Sequence, residues 1–162
     1  MRYYFTLIVG LFLSSSAWIQ AASLSASDKV AIVDFAQKAA VRTLDYNQGD
    51  RGSLMDAQED FTPDGWQEFM KWLDGWIDNK GAPLGSSKFS PTSEAVVKGE
   101  ENGVLRLKIP GTLKQLSRNE GGGAIGATYR AVIEIQAGGN PVKILHLKVT
   151  TCGGASTVQS CE

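Results

Sequence analysis

Residue types that carry chemistry are few in this chain. It has one histidine, His146, and two cysteines, Cys152 and Cys161. Zinc sites draw on several Cys, His or carboxylate ligands, so a lone histidine and two late cysteines point to no metal centre. A Ser-His-Asp triad is open arithmetically, but no G-x-S-x-G turn is present to expose the serine. The run Gly121-Gly122-Gly123-Ala124-Ile125-Gly126 matches the letters of G-x-G-x-x-G. That motif needs a strand before it and a helix after it to hold a pyrophosphate. Here a strand pattern follows, so the run reads as a flexible connection, and no cofactor is expected. Asp56, Glu59 and Asp60 cluster, as do Glu100 and Glu101. Paired carboxylates can cleave glycosidic bonds. These pairs lie at helix ends and turns, where acids serve the helix dipole or the turn. Trp66, Trp72 and Trp76 could form a ligand platform. Trp66 and Trp76 fall in an apolar stripe and read as packing, whereas Trp72 falls off it and is available for a partner contact.

The two cysteines bracket a Gly/Ser/Thr-rich stretch, GGASTVQS. In an oxidising compartment they can close a short loop contributing about 2–3 kcal/mol; two free thiols are the alternative. The start of the chain suits that compartment. Arg2 precedes an apolar run from Tyr3 to Leu13, then serines and Ala21-Ala22. That is the layout of a cleaved secretory signal, whereas a membrane span needs about 20 apolar residues. The expected organisation is a signal peptide over 1–22, one domain over 23–151 and a disulfide-closed tail over 152–162. The expected address is the periplasm or the exterior, with inner-membrane anchoring facing the periplasm as the alternative.

The elements that position these residues have clear signals. Ser25 or Ser27 can cap a first helix reaching about Tyr46, with Val30, Val33, Ala36, Ala40 and Leu44 on one face. A second helix opens at Thr62 as N-cap with Pro63 in its first turn, where the missing N–H costs nothing. Phe61 and Trp66 flank the cap as a hydrophobic staple. Asn79-Lys80-Gly81 and Pro83 end this helix. Strands follow: a modest candidate at Ser93–Lys98, then Val104–Ile109, Thr128–Gln136 and Val142–Thr151. Leu105, Leu107, Ile109, Tyr129, Ala131, Ile133, Ile135, Leu145, Leu147 and Val149 alternate onto the core side. Gly138-Gly139-Asn140-Pro141 reads as a hairpin turn. Helices first and antiparallel strands after give an α+β fold, with helices packed on one face of a curved sheet.

With 43% hydrophobic and 20% charged residues in 162, the chain is neither disordered nor large enough for two cores. Sixteen basic against seventeen acidic residues, net −1, exclude the footprint of a nucleic-acid binder. The outward sheet positions nevertheless collect Arg106, Lys108, Arg130, His146 and Lys148, among Val104, Val132 and Ile144. A basic, partly apolar sheet face on a net-acidic chain suits docking of another protein, with a plain solvated face as the alternative.

Leu44-Asp45-Tyr46-Asn47, the segment from Leu54 to Phe61, and Phe61-Thr62-Pro63-Asp64-Gly65-Trp66 with Phe69 and Leu73 resemble the DotI/IcmL/TraM family. Leu105 to Pro110 looks like that family's middle strand, and Tyr129–Gln136 and Leu145–Thr150 like its closing strands. These are inner-membrane components of type IV secretion and conjugation systems. The resemblance covers roughly residues 30 to 152. It implies a periplasmic domain similar to the nuclear-transport-factor-two and cystatin-like α+β cone. It also implies a scaffold role with envelope or secretion-system partners and no catalytic residues. Family members usually carry a cytoplasmic tail and an uncleaved membrane helix; a removable signal here describes a soluble periplasmic paralogue instead. Two other roles remain open. One is a ketosteroid-isomerase-like ligand pocket, for which Tyr129 is the inward polar candidate. The other is an inhibitor of an envelope enzyme, using Trp72 or the Ser117–Gly126 loop. The sequence leaves self-association and membrane association open.

Overall fold

Ser25 closes the first turn of the first described helix by a reciprocal exchange. Its hydroxyl accepts from the Asp28 N–H, and its own N–H donates to the Asp28 carboxylate. In the computed structural model, which describes residues 23–47, 51–80, 84–118 and 124–154, that helix is α1, Ala26–Leu44. Then come β1 (Tyr46–Asn47), α2 (Arg51–Gln58), α3 (Pro63–Lys80), β2 (Leu84–Pro91), β3 (Val96–Glu101), β4 (Val104–Arg118), β5 (Ala124–Gly138) and β6 (Lys143–Gly154). The expected signal peptide, the Gly121–Gly123 part of the glycine run and Cys161 lie outside the described residues.

The strands form one antiparallel sheet in the order β1-β2-β4-β5-β6, and β3 also pairs with β4. β4 and β5 are its spine, fifteen residues each, paired from Val104–Gly138 to Arg118–Ala124. The other edge of β4 is shared: β3 pairs with its first part and β2 with its second. The break between β2 and β3 falls at Pro110, whose carbonyl accepts from the Thr92 N–H. In a strand a residue's nitrogen and carbonyl address the same neighbour, so the N–H that proline lacks is missing where the edge is already interrupted. The modest strand expected at Ser93–Lys98 therefore starts later, because Thr92 to Ala95 form that interruption. β3 and β4 are joined through Asn102 (φ 52°) and Gly103 (φ 76°), the positive-φ pair that a two-residue hairpin demands.

The core lies on one face of the sheet. Leu105, Leu107, Ile109 and Leu113 of β4, Ala131, Ile133 and Ile135 of β5, and Leu147 and Val149 of β6 are buried, in the expected alternation. Two expectations change. A bulge between β5 and β6 shifts the register so that Ile144 is fully buried, and Leu145 leaves the core. On α1 the buried stripe is Ile32, Ala36, Ala39, Ala40 and Leu44, while Val30 is 69% exposed. The alanines let α1 lie close across β2, β4 and β5.

α3 starts as its sequence dictates. The Gly65 N–H donates to the Thr62 hydroxyl at 3.2 Å, and Phe61 meets Trp66 edge-on at 5.4 Å. Backbone bonds then clip this start to β6: the Thr62 N–H donates to the Ile144 carbonyl, and the Ile144 N–H to the Asp60 carbonyl. Phe61, Phe69 and Leu73 are buried. Trp72 is a correction: it is half-buried and stacks on Phe69 at 5.8 Å, so it belongs to the packing. The side chains of Trp76 and Ile77 lie outside the described residues.

Candidate interaction surface

Strand register gathers the expected face row by row. Across β4, β5 and β6, Arg106 stands beside Gln136 and His146, and Lys108 beside Glu134 and Lys148. Pro110 then stands beside Val132 and Thr150, and Thr112 beside Arg130 and Cys152. All five predicted face residues thus share the side of the sheet opposite the core. Ile144, expected among them, is instead buried by the bulge. Gln136 and Glu134 also belong to this face and were absent from the expected set. The two-residue period of β5 places them there, between Arg130 and Val132 on one side and Gly138 on the other.

Pairing trims the positive charge without cancelling it. The Lys108 amine lies 3.2 Å from the Glu134 carboxylate, and Glu134 also faces Lys148 across the next pair. Glu68 of α3 reaches His146, with Oε2 2.7 Å from Nδ1. Arg106, Arg130 and Lys148 have no carboxylate partner among the described residues. At one end the face is hollowed into a groove of about 190 Å³, lined by Lys98, Arg106, Lys108, Glu134, Gln136 and His146. A carboxylate-held histidine is two-thirds of a nucleophilic triad. None of those lining side chains is a Ser, Thr or Cys.

The packed side holds four buried polar residues: Thr43, Asp60, Ser87 and Gln115. Ser87 donates to the Leu44 carbonyl at 2.7 Å and so ties β2 to the end of α1. Burial pushes the Asp60 carboxyl up from its ordinary value of 3.8, against the pull of Arg42 and Lys143. Arg42 Nη2 is 3.1 Å from Asp60 Oδ2 but out of line for a hydrogen bond. The Lys143 amine donates to the neighbouring Glu59 carbonyl. Asp60 thus ties the segment before α3 to α1, and the Glu59 and Asp60 carbonyls tie it to β6. Tyr129, the inward candidate for a pocket, is half-buried on β5, in register with buried Leu113. The core is filled by Ile32, Phe61, Phe69, Phe89, Leu113 and Ile133 among others.

Among the described residues no group of three His, Cys, Asp or Glu could hold a metal ion. None of their helices is long and apolar enough to cross a membrane. Ala124, Ile125 and Gly126 open β5, so the helix required by a dinucleotide motif does not follow the glycine run. β6 continues through Cys152 to Gly154, so the tail boundary expected at Cys152 falls inside the sheet.

Solved structures share this architecture. The periplasmic domain of DotI superposes with a TM-score of 0.57 at 16% identity, over 80% of this chain and 97% of that one. An IcmL-like type IV secretion system protein from Legionella pneumophila gives 0.54 at 10% identity, over 84% and 99%. A periplasmic fragment of TraM gives 0.51 at 12% identity, over 80% and 100%. The fold is that of the DotI/IcmL/TraM domains. By sequence the chain matches no family model and no curated protein. The segments that the resemblance singled out fall on the start of α3 (Phe61–Trp66), on β4 (Leu105–Pro110) and on β5 and β6 (Tyr129–Gln136 and Leu145–Thr150).

Proposed function

We propose that this chain is a non-enzymatic scaffold of the periplasm that serves a type IV secretion apparatus by docking another protein on its uncovered sheet face. The observation that carries this reading is the sheet itself. One side is closed by helices over an aliphatic and aromatic interior. The other presents Arg106, Arg130 and Lys148 unpaired among the described residues, around Val132 and Pro110. Likeness to periplasmic domains of DotI and TraM supports the location and the apparatus. A cleaved signal over 1–22 would deliver the chain there, and N-terminal sequencing of the exported protein checks it. A Cys152–Cys161 bond would brace the end of β6 beside Arg130; mass spectrometry with and without reductant checks that pairing.

The docking face is tested by reversing Arg106, Arg130 and Lys148 to Glu together. These side chains project from the sheet, so the triple variant should melt close to the parent. It should lose the envelope proteins that the parent captures in a pull-down. Unchanged capture would remove the face from the account.

A further inference from the structure

Within the docking face, four positively charged or histidine side chains converge on one groove, and two of them are held without a counter-charge. The groove lies where β3 bulges at Lys98, beside the Arg106–Gln136–His146 row. Lys108 is spoken for by Glu134, and His146 is steadied by Glu68. Lys98 and Arg106 pair with no acid among the described residues. Arg106 is also placed: its guanidinium lies against the bare backbone of Gly99, where an added Cβ would stand 3.1 Å from Nη2. The missing side chain at 99 therefore makes room for the Nε–Nη2 edge of the guanidinium beside β3. A planar guanidinium matches a carboxylate by two parallel hydrogen bonds.

We infer that this groove is the anchor point of the docking face, and that it takes a carboxylate side chain from an acidic segment of the partner protein. Arg106 grips the carboxylate, Lys98 and His146 flank it, and the absent side chain at Gly99 leaves Arg106 the room to do so. The volume, about 190 Å³, suits a side chain or two rather than a nucleotide. The inference rests on the scaffold reading for the existence of a partner, and on the groove alone for that partner's chemistry. Arg130, in the last row of the face, lies outside the groove and contributes only general field.

The test uses the full exported protein and a fluorescent hexa-glutamate peptide, with hexa-glutamine, inorganic phosphate and phosphatidylglycerol vesicles as comparison arms. Hexa-glutamate should bind, weaken with salt, and lose about tenfold in affinity with Arg106→Gln and with Lys98→Gln, against less than about twofold with Arg130→Gln. Gly99→Ala leaves every charge in place and asks the guanidinium to give by only a few tenths of an ångström, so it should weaken binding less than Arg106→Gln does. Melting curves identify any variant that fails to fold, and two positions on separate strands keep the result interpretable. Equal loss from Arg106→Gln and Arg130→Gln would mean a diffuse positive field and overturn the anchor. Binding of phosphate or vesicles in place of hexa-glutamate would overturn the partner chemistry. Capture of envelope proteins that persists in Arg106→Gln would leave the scaffold reading standing without this groove. Hexa-glutamate binding by a protein that captures nothing would leave the groove standing without the scaffold.

Discussion

At Gly65 a Cβ would stand 2.7 Å from the Leu145 carbonyl oxygen and 2.8 Å from that of Ile144. Helix propensity alone favours alanine over glycine there by about 1 kcal/mol. The contacts are backbone and cannot swing away, so packing reverses the sign. Gly65→Ala should destabilise by about 2 kcal/mol in chemical denaturation. A stabilised variant would mean that α3 does not sit on β6. Glu100 is a second residue with a testable consequence. The Lys29 amine and then the Leu24 N–H hold its carboxyl below the ordinary 4.5, with the amine at 2.6 Å. A lowered folded value means that the unfolded chain binds more protons, so this tether stabilises above pH 4.5 and is lost as pH falls through the lowered value. Glu100→Gln should therefore be less stable than the parent at neutral pH and converge with it in acid, read from urea midpoints. Asp60 acts in the opposite sense. Its raised carboxyl makes the fold lose stability as pH climbs through the raised value, and Asp60→Asn should flatten that part of the profile.

Among the elements, α3 was the most legible because its start is chemically self-contained: Thr62, Pro63 and the Phe61–Trp66 staple need nothing beyond their neighbours. Thr62→Ala should cost about 1 kcal/mol through the lost cap. The strand pairs β4–β5 and β5–β6 were legible from alternation, because one face is buried and the other wet. β2 was not. Leu84-Gly-Ser-Ser-Lys-Phe-Ser-Pro has almost no β-branched content, and its strand is imposed by pairing along the second half of β4. The same half hid behind Pro110-Gly111, which reads as a stop until the break between β2 and β3 explains it. The Ile144–Leu145 inversion was hidden because a bulge leaves no mark in a strictly alternating pattern. Asn102-Gly103 did carry a signal, a tight hairpin between β3 and β4. Gly103→Ala, in open space at φ 76°, should cost about 1 kcal/mol from backbone strain alone. Of the candidate surface, the five basic or histidine positions were legible from period two. Their neutralising partners were less so: Glu134 lies in register with Lys108 and Lys148, whereas Glu68 reaches His146 from another element.

For the molecule as a whole, the proposed docking role would separate recognition from stability. Helices, aromatics and the Asp60 ties close one side of the sheet, and removing Phe69 by Ala should cost about 3–5 kcal/mol there. The opposite side gives up little stability to substitution and so is free to be shaped for a partner. The most direct test is site-specific photo-crosslinking in the parent organism, with a crosslinking residue at Val132 on the open face and, as comparison, at half-buried Gln37 on α1, across the sheet from that face. The account predicts discrete crosslinks to envelope proteins from Val132 and none from Gln37. Crosslinks from Gln37 alone would contradict the claim that the uncovered sheet face does the work.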